Sequence, residues 1–97
     1  MPKFMCIHTM PPSSMTFQQV QELAERVRRD PVVEGHRSAG NLSEGRIVCI
    51  LESPTKQDLV NFFRNNNMPF DSISEVEFEG EGGVVTQIAA PAMAGQP

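Results

Sequence analysis

Two segments of helical periodicity, set among four of strand character in the order β-α-β-β-α-β, predict a ferredoxin-like α+β sandwich. That fold is a four-stranded antiparallel sheet with both helices on one face. A chain of 97 residues with 39% hydrophobic and 21% charged content suits one such domain with one modest core. The spatial strand order 4-1-3-2 makes the first and third strands central neighbours. It also leaves one sheet face without a helix, which a second copy of the chain is expected to cover.

Each element has a local cause. Residues 3–10, KFMCIHTM, alternate as a strand does, with Phe4, Cys6 and His8 on one side and Met5, Ile7 and Thr9 on the other. Met5 and Ile7 suit the helix-covered core, which would point Phe4, Cys6 and His8 to the open face. Pro11-Pro12-Ser13-Ser14 stops the strand. Thr16 and Gln19 have capping-box spacing, and Phe17, Val20, Leu23, Ala24 and Val27 recur at helical intervals, so 17–29 is a helix that Asp30-Pro31 ends.

Residues 32–42 form a less regular strand, in which Gly35 and Gly40 mark bulges or a close neighbour. Ser43-Glu44-Gly45 reads as a hairpin turn before Arg46 to Glu52, RIVCILE, whose apolar run suits a central strand. Ser53-Pro54-Thr55 opens a second helix over about 55–65, with Leu59, Val60, Phe62 and Phe63 on its buried side. Ser72 to Glu79 is the fourth strand. The domain therefore spans 1–79. Residues 80–97 are a Gly/Ala/Pro-rich extension, with a short strand expected at 84–88 and a loose tail beyond it.

Composition narrows the function. A net charge of −4 and a pI near 5.0 disfavour a phosphate-binding surface, and the chain has no Trp or Tyr for base stacking. Arg26, Arg28 and Arg29 share a helix with Glu22 and Glu25, so they read as a solvated, paired face rather than a nucleic-acid patch. No stretch is long and apolar enough for a membrane span, and no secretory leader is evident. The expected location is the cytoplasm, where two cysteines do not imply a disulfide framework.

The chemistry-bearing residues are few. Cys6 and His8 lie two apart in the first strand, and the third strand beside it carries Cys49 and Glu52. If Glu52 shares the open face, Cys6, His8 and Glu52 converge; if Cys49 does, the set is two thiols and an imidazole. A slip of one residue exchanges the two, and sequence does not fix the register. Thiolate, imidazole and carboxylate are ligands for nickel, zinc or copper. Against this, Cys6 and Cys49 also read as small packing residues, and His36, beside Arg37, as a surface or rim residue with a metal or ligand contact as the lesser alternative.

The segments MPKFMCIHTM, RIVCILESP and MPFDSISEVE resemble a family of small ferredoxin-like proteins, classed as a domain of unknown function, that includes a nickel-binding protein. Within them, Ile7-His8, Cys49-Ile50-Leu51-Glu52-Ser53-Pro54 and Ile73-Ser74-Glu75-Val76 match the family's motifs, and the resemblance covers about 1–79. It implies the same fold, a homodimer through the open face, and binding of nickel or another transition metal, or of a small ligand. Carried over by position, His8, Cys49 and Glu52 are the metal ligands, with Cys6 as a replacement ligand that the family pattern does not supply. Two alternatives stand beside this. One is a dimeric α/β-barrel-type enzyme acting on a small organic substrate with His8 as acid/base; the other is a purely structural module.

Overall fold

The structure, a computed structural model, describes residues 1–90. Its elements are β1 (Lys3–Thr9), α1 (Phe17–Arg29), β2 (Glu34–Asn41), β3 (Arg46–Glu52), α2 (Lys56–Asn65), β4 (Ser72–Glu75), β5 (Phe78–Glu81) and β6 (Val84–Gln87). The first four strands of the fold make one antiparallel sheet in the order β2-β3-β1-β4. With two helices, this is the ferredoxin-like α+β arrangement. The outer part of the extension, 91–97, expected as a loose tail, lies outside the described residues.

Both helices begin as their sequences dictate. Thr16 accepts from the Gln19 amide while the Gln19 side chain accepts from the Thr16 amide, and Thr55 and Asp58 repeat the reciprocal pair at α2. Such caps satisfy helix N–H groups that would otherwise lack partners and contribute about 1 kcal/mol each. α2 packs tightly: Leu59, Phe62 and Phe63 are buried, with Phe63 stacked edge-on to Phe62. α1 packs loosely, since none of its residues is fully buried and Val20, Leu23 and Val27 only fringe the core. Its approach to β2 is set by Gly35, where a Cβ would meet Val27 at 2.9 Å.

The β1–β3 register pairs Phe4 with Leu51, Cys6 with Cys49 and His8 with Ile47. Phe4, Cys6 and His8 are all buried, in a core shared with Leu51, Leu59, Phe63 and Ile73. This reverses the expected parity of β1: these three face the helices, and Met5, 42% exposed, lies on the open face. The reason is visible in the register. The parity of Met5 and Ile7 also carries Lys3 and Thr9, opposed by Glu52 and Arg46, and that charged border belongs in solvent.

The fourth strand is shorter than expected. β4 ends at Glu75, and the Val76 amide bonds to the Lys3 carbonyl before the chain leaves the sheet. β5 pairs instead with β6. Gly82 and Gly83 join them with φ of 59° and 82°, the left-handed values that a two-residue hairpin turn needs. Phe78, Val84 and Val85 are each about two-thirds exposed on this ribbon. The described strands of the single chain form one four-stranded sheet and one two-stranded ribbon and close no barrel. No helix among the described residues is long and apolar enough to cross a membrane.

Candidate functional site

The two faces of the sheet carry different chemistry. On the helix side, direct pairing of Cys6 with Cys49 puts both thiols on one face, and His8 follows two residues along β1. The His8 Nδ1 lies 2.7 Å from the Pro69 carbonyl oxygen and its Nε2 lies 3.3 Å from the Cys49 Sγ. A carbonyl only accepts, so Nδ1 carries a proton and Nε2 faces the thiol as its base. Phe63 holds the ring edge-on at 4.7 Å between centroids.

These contacts set the ionisation of the trio. The Cys6 thiol beside Cys49 lowers the Cys49 pKa from 9.0 to about 6, with His8 adding to the effect against the opposing pull of burial. The same Cys49 contact, with burial, pushes the Cys6 thiol well above its ordinary range. For His8, burial disfavours the imidazolium, yet Cys49, the Pro69 carbonyl and Asp71 together raise its pKa. Cys49 is thus the more acidic thiol of the pair, while the Cys6 thiol, 4.0 Å from the Phe4 carbonyl oxygen, donates to that backbone group.

Cys49 is half-buried, and the opening that reaches it is a cleft of about 930 Å³ beneath α1. Val20, Leu23, Val27, Leu51 and Phe63 line its walls, with His8 and Cys49 among its lining residues and Glu34, His36 and Arg37 of the edge strand β2 also bordering it. The cleft follows from the loose seating of α1, whose apolar stripe stands off the sheet rather than sinking into it.

On the open side, Glu34 and Glu52 are direct cross-strand partners on β2 and β3. A register shift between Gly35 and Arg37 sets His36 in a bulge, and its Nε2 lies 3.0 Å from the Glu52 Oε1. One ligand atom from each of Glu34, His36 and Glu52 lies within 4.8 Å of the other two. Lys3, whose backbone is opposite Glu52, gives its ammonium to Glu79 of β5 at 2.9 Å. That ammonium holds the Glu79 carboxyl below its usual range.

The four residues singled out from sequence therefore divide between two places. His8, Cys49 and Cys6 meet on the helix side, while Glu52 stands on the opposite face with His36 and Glu34. Glu52 and His8 do not share a pocket, because β3 alternates and positions 49 and 52 have opposite parity. Glu34, and its grouping with His36 and Glu52, was not expected from the sequence. Their signal was the Glu-x-His spacing, which puts both side chains on one strand face, but the bulge and the Glu34–Glu52 pairing are needed to bring in the third carboxylate.

Fold and site together define a class: a small ferredoxin-like α+β protein with a carboxylate–imidazole cluster on one sheet face and a thiol–imidazole pair on the other. Residues 4–76, most of the chain, match the family described as "Nickel responsive protein SCO4226-like", and the chain belongs to that family. Among solved structures it is similar to SCO4226 from Streptomyces coelicolor A3(2), with a TM-score of 0.67 at 21% identity, over 80% of this chain and 99% of that one. At that identity the likeness speaks for the fold. Comparison with curated proteins gives no significant match.

Proposed function

We propose that the protein binds a divalent transition metal, nickel foremost, through His36, Glu34 and Glu52 on the open face of the sheet. The observation that carries this reading is the mutual approach of the three ligand atoms to within 4.8 Å. Two carboxylates so close repel one another, and a cation between them relieves that repulsion. One imidazole nitrogen and carboxylate oxygens suit nickel, cobalt or zinc better than a thiol-seeking ion. The family description, as nickel responsive proteins, points the same way. His8, Cys49 and Cys6 stand outside this ligand set.

The reading includes a homodimer through the open face. Met5 and Val48 expose 42% and 40% of their surface there, and the β5–β6 ribbon offers Phe78, Val84 and Val85 beside it. Calorimetric titration of nickel, cobalt and zinc into the reduced protein tests the metal site. His36→Ala and Glu52→Gln are expected to weaken nickel binding at least about tenfold each, and His8→Gln to leave it unchanged. Absence of saturable binding, or an affinity that survives loss of His36, sinks the reading.

A further inference from the structure

The thiols on the helix side are not used by the metal reading, and three features of their setting go together. Cys6 and Cys49 are directly opposed on adjacent antiparallel strands. Opposed residues have Cα atoms about 4.5 or 5.5 Å apart, depending on the pair type, and both values lie within the range a disulfide spans. Access is unequal, since Cys6 is fully buried while Cys49 opens to the cleft beneath α1. Finally, His8 is oriented by the Pro69 carbonyl so that Nε2 faces the Cys49 sulfur. A nucleophile, a base and a group that fixes the base are the parts of an activated thiol.

We propose that Cys49 and Cys6 form a redox-active dithiol that reduces hydroperoxides entering the cleft beneath α1. Cys49 is the attacking sulfur and Cys6 the resolving one. The Cys49 proton passes to His8 Nε2, and the sulfur attacks one peroxide oxygen as the O–O bond breaks. The departing hydroxide or alkoxide takes the proton from His8 and leaves as water or an alcohol, with Cys49 as a sulfenic acid. The Cys6 sulfur then attacks the Cys49 sulfur; the S–S bond forms, the S–OH bond breaks, and the hydroxyl leaves as water with the Cys6 proton. Two thiols supply the two electrons, and the sum is two thiols plus one hydroperoxide giving one disulfide, one alcohol or water, and one water. An external dithiol reverses the oxidation.

The apolar walls of Val20, Leu23, Val27 and Phe63 favour a hydroperoxide with an organic body over hydrogen peroxide itself.

The test uses the full-length reduced protein with a metal chelator present, which makes the outcome independent of the metal reading. One equivalent of hydrogen peroxide or cumene hydroperoxide is added, and intact mass, free thiols and peptide linkage are followed. The expected product has lost two hydrogens, both free thiols and no further mass, with Cys6 linked to Cys49 in the same chain, and it returns to the dithiol with dithiothreitol. Cysteine-sulfenate trapping by dimedone at Cys49 in Cys6→Ser, and oxidation slowed at least about tenfold in His8→Gln, are expected with it. Cumene hydroperoxide reacting at least as fast as hydrogen peroxide supports the cleft as the substrate site. Persistence of both thiols in the wild-type protein overturns the proposal. So does a disulfide between chains, or oxidation of Cys49 to sulfinic acid in preference to the linkage. Reaction with hydrogen peroxide but not cumene hydroperoxide removes the cleft from it.

Discussion

His8 is 1% exposed, yet both ring nitrogens have partners, and among the described residues no buried side-chain nitrogen or oxygen lacks one. A buried imidazole of that kind costs little to keep and much to lose, because each partner would be left unsatisfied. Its effect is read at Cys49. Alkylation of Cys49 by iodoacetamide, mapped by peptide mass spectrometry across pH, is expected to have its midpoint near 6, with the reactive thiolate present above it and lost below. In His8→Gln the imidazole's share of the effect is lost while the larger contribution of Cys6 remains, so the midpoint is expected to rise yet stay below the ordinary thiol value of 9.0. Equal midpoints in the two proteins would show that His8 does not govern the sulfur.

Among the elements, the β2–β3 hairpin is the most constrained. Gly45 has φ of 75°, and a Cβ there would overlap the backbone carbonyl of Met10, whose own amide donates to the Gly45 carbonyl and holds the two segments together. Gly82 has φ of 59° but open space around it. Urea denaturation is expected to show Gly45→Ala losing at least about 2 kcal/mol and Gly82→Ala about 1 kcal/mol or less. Equal losses would mean that backbone conformation alone, not the clash with Met10, makes the glycine necessary. The helices, the central strand Arg46–Glu52 and the strand order were legible in the sequence, because caps and apolar periodicity are local signals. The parity of β1 was misread, because Lys3 and Thr9 at its ends mark the solvent side more firmly than Met5 and Ile7 mark a core. A buried histidine hides that signal, since its polarity argues for the surface until both nitrogens are seen to be satisfied. The open-face site was not legible, as it depends on a bulge at His36 and on pairing between strands.

For the molecule as a whole, the proposed dimer rests on the open face. Along its centre run Met5 and Ile7 on β1 and Val48 and Ile50 on β3, bordered by the charges of Lys3, Glu52 and Arg46. Burial of such a stripe against its own copy would remove apolar surface at about 25 cal/mol per Å², while the charged border stays wet. In a two-fold interface every residue is used twice, so one substitution acts on both partners. Val48→Glu at the centre of the stripe would bring a desolvated carboxylate into each half of the interface, at a cost of several kcal/mol. Sedimentation of the wild-type protein is expected to give twice the 10.7 kDa chain mass. Val48→Glu is expected to give the single-chain mass while far-ultraviolet circular dichroism still reports the folded sheet, because Val48 is not part of the helix-side core. A monomeric wild type, or a variant that stays dimeric, would mean that the stripe is not the interface. The two sites would then be separable by assembly. The Glu34–His36–Glu52 cluster lies on the face a partner would cover, so its nickel affinity should fall in the Val48→Glu monomer if the partner shields it from water. The Cys6–Cys49–His8 trio lies on the helix side, so its reaction with iodoacetamide should not change.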